Sequence, residues 1–546
     1  KHQPFYVCYR TEKGAYYVYA CDMKTLNLSI PDMICDDCAG AVKKTLKRIP
    51  GVCHVNVSLS PSSVTLYYLE SNQELQTIAQ MVNHNGHIDL RVLMPQHQCS
   101  HTNNRTIVGK NRVTKHAEDL LTRLFSNVKS NIRLRLCNGE ALHIGHQLHD
   151  QEEPCFTLAF HSMNAIKQLV LGRDPLRLAE AYFRGEIDIE GDFFAAIRLK
   201  DDLQTINLSL TDKIAAIYAA LSLPKTSELS SSKLQSLQFN PVKAHSKTEN
   251  REAIAYHYDV SNDFYALWLD KAMIYSCAYF DQVDATLEQA QFAKLNHICR
   301  KLQLKPNDKL LDIGCGWGAL VIHAAKFYGA TAHGITLSQR QFELASQRIT
   351  EAGLQDKVSV ELRDYRDLKG EGVYDKISSI GMFEHIGLKN LPLYFATVNR
   401  LLKPTGLFLN HGITHYEEGW HKTLSTEFIN RYVFPDGQLD TVSNIQLQME
   451  RAKFEIADVE ALRQHYALTL RHWVAGLEQH HEQALQYVSE ATYRIWRLYM
   501  AACALDFETG ELGVYQILAS KNTSVNVLPL TRQHLYPSVA QVTVAG

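Results

Sequence analysis

Long apolar runs are the first thing missing. No stretch of roughly 18 or more uninterrupted apolar residues occurs in the 546-residue chain, so a helix that crosses hydrocarbon is not part of the reading. The amino end, from Lys1 onward, also lacks the basic, apolar and small-residue succession of a secretory signal. A cytoplasmic protein, peripheral to any membrane, is the expectation, with a segment upstream of Lys1 left open because the chain does not begin with methionine. Charge of one sign is missing too. Lys and Arg number 56 against 58 Asp and Glu, and without a basic excess no nucleic-acid partner is implied. Cysteine is thin, 12 residues scattered over the length with only Cys35 and Cys38 close together. That excludes the dense disulfide framework of a small secreted fold and points to reduced thiols.

The length leaves room for several domains of roughly 100 to 200 residues each. Residues 1–24 carry strand-like stretches at Phe5 to Tyr9 and Tyr16 to Ala20 but match no nameable module. Residues 25–95 read as strand, helix, strand, strand, helix and strand, a compact α+β unit. A further α+β domain spans 117–223. It opens with alternating Ile132 to Leu136, an Asn138-Gly139 hairpin turn and a partner strand at Ala141 to Ile144, and continues through Phe156 to Phe160 and a helical stretch from Leu176 to Phe183. Residues 224–250, rich in Ser, Lys, Thr and Asn without a period, suit a linker. From 251 to 525 strands alternate with helices, at Lys309 to Ile313, Thr331 to Ile335, Val358 to Leu362, Asp375 to Ile380 and Leu407 to Asn410. That alternation predicts an α/β domain with a doubly wound, largely parallel sheet. Residues 526–546 form a tail.

The first strand of that domain runs straight into Asp312-Ile-Gly314-Cys-Gly316-Trp-Gly318 and then a helical Ala319 to Phe327. Glycines between strand and helix allow a tight turn and close backbone approach to a ligand. A dinucleotide site would want an acid about twenty residues on. The next strand instead ends in Thr336-Leu337-Ser338, with no acid. An acid ahead of the glycines, Asp312, is the pattern of S-adenosylmethionine methyltransferases. Ligands of open α/β sheets lie beyond the carboxyl ends of the strands. The site candidates are therefore Thr336 to Gln341, Asp364-Tyr365, Glu384-His385, and His411 with the Ile413 backbone. Capping or surface roles compete for Asp364 and His385.

Four further motifs carry a resemblance. Tyr275-Ser276-Cys277-Ala278-Tyr279-Phe280, Leu311 to Ala319, Gly381-Met-Phe-Glu384-His-Ile-Gly387 and Gln464-His465-Tyr466 occur in order, with His257-Tyr258-Asp259 before them and Cys503-Ala504 after. Over about residues 252 to 520 the chain resembles the cyclopropane fatty acid synthases and mycolic acid cyclopropane synthases. The resemblance implies a Rossmann-like methyltransferase domain that transfers a methylene from S-adenosylmethionine to the cis double bond of an unsaturated phospholipid. A relative that stops at a methyl or methylene branch is the alternative. The resemblance places Tyr275, Ser276, Asp312, Gly314, Gly316, Gly318, Thr336, Leu337, Gln341, Asp364 and Tyr365 around S-adenosylmethionine. It places Cys277, Glu384, His411, Ile413 and Tyr466 around a bicarbonate ion. Cys503 is a weaker catalytic candidate, equally readable as packing.

The chemistry explains such a set. An alkene that takes a methyl from sulfur becomes a carbocation that must lose a proton, so the site needs a base and little water. A carboxylate against the cation would itself be alkylated, whereas bicarbonate can accept the proton. His411 and Tyr466 can donate to that anion, while Glu384 and the Ile413 carbonyl can accept from its hydroxyl. Cys277 as a nucleophile is the competing reading, but sulfonium transfer needs none. Tyr256, Phe264, Tyr265 and Phe280 read chiefly as core aromatics, with tunnel lining as the alternative.

Two resemblances remain at the amino end. Met33-Ile-Cys35-Asp-Asp-Cys38 between a strand and a helix is similar to the heavy-metal-associated domain of copper chaperones, a ferredoxin-like α+β fold. Two thiolates at a helix start favour Cu(I), and a redox pair or a metal-free relic are the rival readings. Residues 117–223, through Leu178-Ala-Glu-Ala-Tyr-Phe-Arg-Gly185 and Ile189-Glu-Gly-Asp192, resemble the sterol-carrier-like segment of larger family members. Engaging lipid or membrane is what that implies, and a module that builds a homodimer is the alternative.

Overall fold

The computed structural model falls into two compact units, Lys1–Arg112 and Val113–Gly546. It describes the strands between 5 and 69, residues 131–144 without 138, 154–162, 175–205, and 260–536 without 421–423, 436 and 522–527, together with a few isolated positions.

In the first unit, β1 (Phe5–Arg10) and β2 (Tyr16–Cys21) pair antiparallel as a sheet of their own. β3 (Met23–Ser29), β4 (Val52–Leu59) and β5 (Ser62–Leu69) form another sheet in the order β3-β5-β4, antiparallel throughout. With β5 inserted between them, β3 and β4 run parallel, so the chain joining them must cross over one face. Val42 and Leu46, one helical turn apart, are buried in that crossover together with Val55 and Val64 of the sheet. This is the first-third-second strand order of a ferredoxin-like split β-α-β. Cys35 and Cys38 lie outside the described residues, as do Met33 and the positions where the second helix and the fourth strand are expected.

The second unit contains two sheets. The smaller has the order β7-β6-β8-β9, from β6 (Ile132–Arg135), β7 (Ala141–Ile144), β8 (Phe156–Phe160) and β9 (Ile187–Gly191). The expected hairpin joins β6 and β7. Gly139 has φ of 86° and donates its N–H to Leu136 O at 2.9 Å, the left-handed geometry that favours glycine. Helices Pro175–Phe183 and Phe193–Thr205 cover this sheet. The linker at 224–250 is outside the described residues apart from isolated positions, and so is the His257 to Asp259 motif.

The larger sheet has seven strands in the order β12-β11-β10-β13-β14-β16-β15. The parallel part is β10 (Lys309–Ile313), β11 (Thr331–Thr336), β12 (Val358–Leu362), β13 (Tyr374–Ile380) and β14 (Leu402–His415). These are the five strands read from the sequence. The sequence reading did not include β15 (Phe454–Ala461) and β16 (Leu512–Lys521), which close the far edge antiparallel. The order turns back between β10 and β13, so a crevice opens beyond their carboxyl ends.

The two parts of this unit meet in one packed cluster. Leu176, Tyr182, Phe183, Phe193 and Ile197 of the smaller part pack in a single cluster with Trp473, Trp496 and Tyr499 of the larger. Arg494, on helix Glu490–Thr509, donates to Tyr182 O at 2.9 Å and Ile187 O at 3.2 Å. Glu180 accepts from Tyr432 Oη at 2.8 Å. Burying each large apolar side chain is worth roughly 1.5–3 kcal/mol, so the small sheet is docked by core packing rather than tethered. Phe264 and Tyr265 are fully buried among aromatic rings, as expected of core residues.

Candidate active site

The cleft at the switch point is built mostly from strand ends. After β10 the chain takes left-handed φ at Gly314 (82°) and Gly316 (54°) before helix Ala319–Tyr328 begins. A Cβ on Gly316 would project into open space, so the loop presents bare backbone to the cleft. Thr336, Leu337 and Gln341 line it from the end of β11, and Asp364 and Tyr365 from the end of β12. Thr336 Oγ1 donates to Gln341 Oε1 at 2.7 Å. Asp364 caps a short 3-10 turn and grips Arg366 through both oxygens, at 2.8 and 2.6 Å, so it is both a cap and a lining residue. Asp312 accepts from Ser378 Oγ at 2.7 Å, and burial pushes its carboxyl up to about 6. Every proposed cofactor residue lines this cleft except Gly318. Gly318 stands behind it, where a Cβ would lie 3.2 Å from Ala345 Cβ, so its task is close helix packing.

The Tyr275 to Phe280 segment has no regular structure, and side chains from neighbouring helices satisfy its backbone. Gln291 Nε2 donates to Ser276 O at 3.0 Å, Ala278 N donates to Thr469 Oγ1 at 3.0 Å, and Phe280 N donates to His465 Nδ1 at 3.0 Å. The Tyr279 ring stacks between His297 and His465 at centroid distances of 4.2 and 4.9 Å. Held in this way, the segment walls two spaces at once. Tyr275, Ser276, Gly381 and His385 line both the cleft and a second cavity of about 660 Å³.

That larger cavity is lined by all the proposed catalytic residues: Cys277, Glu384, His411, Ile413, Tyr466 and Cys503. β14 outruns β13. His411 O still accepts from Gly381 N at 2.8 Å, but two residues on, the Ile413 amide faces the short turn Phe383–His385 instead of a strand. It donates there to Glu384 Oε1 at 2.8 Å. The Ile413 carbonyl points to the same side, because the N–H and C=O of one strand residue share a direction. Glu384 Oε2 is buried with no partner among the described residues, and burial raises the carboxyl above its ordinary value. Burial also drives His411 well below the imidazole range, leaving a neutral ring. Gln516 Nε2 lies 3.3 Å from His411 Nδ1. With the amide as donor, the ring hydrogen sits on Nε2, available to donate. Tyr466 is held neutral by burial, its ring 4.7 Å from that of Phe507. Cys277 is a buried thiol whose Sγ donates to Ala278 O at 3.3 Å, and burial pushes its ionisation well above the usual range. A thiol in that state is no nucleophile.

Residues 245–517 match the family model described as mycolic acid cyclopropane synthetase. The chain is 42% identical over 409 residues to a "Probable fatty acid methyltransferase" of Pseudomonas putida, covering 74% of this chain and 96% of that one. The chain belongs to the mycolic acid cyclopropane synthetase family. It is accordingly an S-adenosylmethionine-dependent methyltransferase by class. The cyclopropane-fatty-acyl-phospholipid synthase of Escherichia coli K12 is 41% identical over 267 residues, 48% of this chain and 66% of that protein. The solved structure of the cyclopropane synthase MmaA2 from Mycobacterium tuberculosis is 34% identical, covers 51% of this chain and 100% of that one, and has a TM-score of 0.48. Residues 27–86 match the heavy-metal-associated domain model. Among the described residues no group of His, Cys, Asp and Glu is placed to hold a metal, and no helix is long and apolar enough to cross a membrane.

For this synthetase-family chain, the sequence reading missed three residues that shape the site. Lys294 is buried in the cleft wall and donates to Ser276 Oγ at 2.9 Å, and burial lowers its ammonium to about 8. Its sequence signal was a lysine on the buried face of helix Leu287–Lys301, level with Ala290 and Ile298. Gln516 orients His411 from a strand that the reading had not included. Gly412 admits the Glu384 turn, since a Cβ there would lie 2.0 Å from the Phe383 ring.

Proposed function

We propose that this enzyme transfers a methylene unit from S-adenosylmethionine to the cis double bond of an unsaturated phospholipid acyl chain, closing it to a cyclopropane. The observation that carries the proposal is the junction of a strand-end cleft with an apolar cavity of about 660 Å³, a volume typical of sites for ligands of that size. Bare glycine backbone, the buried hydroxyl of Tyr365, which has no partner among the described residues, and the Lys294-Ser276 pair fit the donor in the cleft. When bound, S-adenosylmethionine supplies an electrophilic sulfonium methyl. Tyr275 and Ser276, which wall both spaces, keep the reacting carbon at the junction and water out.

At the junction the residues also fit a bicarbonate ion. His411 Nε2 and the Tyr466 hydroxyl would donate to it and Glu384 Oε2 would accept from its hydroxyl, and the ion would supply the base for the proton lost at ring closure. A second reading stops at a methyl branch. It is favoured by the Pseudomonas putida relative, a "Probable fatty acid methyltransferase" matched over 96% of its length. Contact with lipid is peripheral and runs through the four-stranded domain. In the first unit, the thiolates of Cys35 and Cys38 would supply two soft ligands for Cu(I).

The test is incubation of the protein with vesicles of unsaturated phospholipid and S-adenosylmethionine, with and without added bicarbonate, followed by mass spectrometry of the acyl chains. Gain of a methylene that resists both hydrogenation and bromination, enhanced by bicarbonate, is the expected result. A retained alkene or a saturated methyl branch supports the second reading.

A further inference from the structure

We propose that the four-stranded domain forms the far wall of the acyl cavity and sets how much hydrocarbon beyond the double bond the enzyme accepts. The inference rests on the acyl-chain reading above and adds a specificity-determining surface to it.

The cavity does not stop at the catalytic sheet. Leu158 on β8, Ile189 on β9, Ala179 on helix Pro175–Phe183, and Ala196 and Leu199 on helix Phe193–Thr205 also line it. Leu158, Ala196 and Leu199 belong to the small domain's own core, the cluster that contains Ile132 and Leu134. The cavity therefore enters between that domain's sheet and its helices, where a close-packed interior would leave no room. A domain used only for docking or dimerisation has no need of a hollow core that opens on the residues of the reaction.

The chemistry of the two ends differs. Ionisable lining residues such as His415, Asp506 and Glu511 belong to the catalytic half, beside the reacting group of Glu384 and His411. The small domain contributes aliphatic side chains and Tyr182, whose hydroxyl accepts from Arg497 Nη1 at 3.2 Å. An end with no charge to pair suits the methyl terminus of an acyl chain, and a headgroup there would lose its hydration uncompensated. The end is also held in place, because Arg494 ties the Tyr182 and Ile187 carbonyls to helix Glu490–Thr509.

The direct test uses the unaltered full chain and a monounsaturated fatty acid with a photoreactive diazirine at its terminal carbon. After irradiation, the labelled peptides are identified by mass spectrometry. Label within residues 156–160 or 175–199 is expected, and label confined to residues 260–536 overturns the proposal. Because this readout needs no turnover, label in the small domain without any methylene product would sink the functional reading and leave the wall standing. A second measurement offers two phospholipids in one vesicle, with the double bond at the same distance from the ester but different lengths beyond it. Ala196→Phe is expected to lower the long-to-short product ratio about tenfold, the scale on which hydrophobic pockets resolve methylenes. Leu199→Ala, which enlarges the pocket, is expected to raise it. Unchanged ratios in both variants, with S-adenosylmethionine binding intact, contradict the ruler.

Discussion

The two spaces that meet at Tyr275 and Ser276 are made in different ways. The cleft is formed chiefly by turns and side chains at the ends of four adjacent parallel strands, so its shape follows from the sheet. The cavity is formed by side-chain volumes on helices and strands that run from Leu158 to Val514. A single donor molecule can be recognised by fixed geometry, whereas hydrocarbon, which offers no hydrogen bonds, can be recognised only by the volume left for it. The cleft should therefore tolerate few changes, and the cavity should be retuned by changes of a few methylenes.

Glu384 tests the junction between them most severely. Glu384→Gln removes an anion-site acceptor without touching the cleft, and kcat is expected to fall by about a hundredfold or more. S-adenosylmethionine affinity measured by calorimetry should stay within a few-fold, and equal loss of both would move Glu384 into the cofactor site. Gly412→Ala attacks the same carboxylate through its support. The added methyl meets Phe383, and overpacking of this kind costs about 1–3 kcal/mol, read as a lower melting temperature together with loss of turnover. Lys294→Met tests the cleft instead, and the KM for S-adenosylmethionine is expected to rise about tenfold with a smaller change in kcat, as for the loss of one charged hydrogen bond.

The pH profile separates the two spaces as well. Burial raises the Glu384 carboxyl above its ordinary 4.5, so the proton stays on to higher pH than in a free carboxyl. Its acceptor form is lost as pH falls through that raised value, and the acid limb of kcat/KM should lie above 4.5 and be absent from Glu384→Gln. Lys294 is shifted the other way, to about 8. Its charge is lost as pH rises through that value, and the KM for S-adenosylmethionine should climb there unless Lys294 has been replaced. The smallest effect is expected at the amino end, where replacing Cys35 and Cys38 with serine should abolish Cu(I) binding and leave methylene transfer unchanged.

The same difference decides what could be read without a structure. The cleft was legible because contiguous motifs carry it: Asp312 to Gly318 sits between a strand and a helix, and Thr336 and Asp364 end the next two strands. The five parallel strands were legible for the same reason, as apolar runs spaced by helices. β15 was not, because its register shifts between Ile456 and Asp458 and breaks the alternation that would reveal an edge strand. Of the reacting cluster, Glu384, His411 and Ile413 were legible as strand-end residues, whereas Cys277 and Tyr466, on a loop and a helix, were visible only through a family resemblance. Lys294 left only the faint signal of a lysine on the buried face of its helix, and Gln516 left none, because it is burial that gives them their roles. The hollow in the small domain was also hidden, since a leucine that lines a cavity and a leucine that fills a core leave the same pattern in the chain.

Labelled donor distinguishes ring closure from simple methylation most directly. The enzyme is given unsaturated phospholipid vesicles and S-adenosylmethionine whose methyl group is fully deuterated, and the acyl products are weighed. Closure at the Glu384, His411 and Tyr466 cluster predicts a product that has gained the labelled carbon, lost a deuteron from it and no longer takes up bromine. A saturated product that keeps every deuteron would contradict the account.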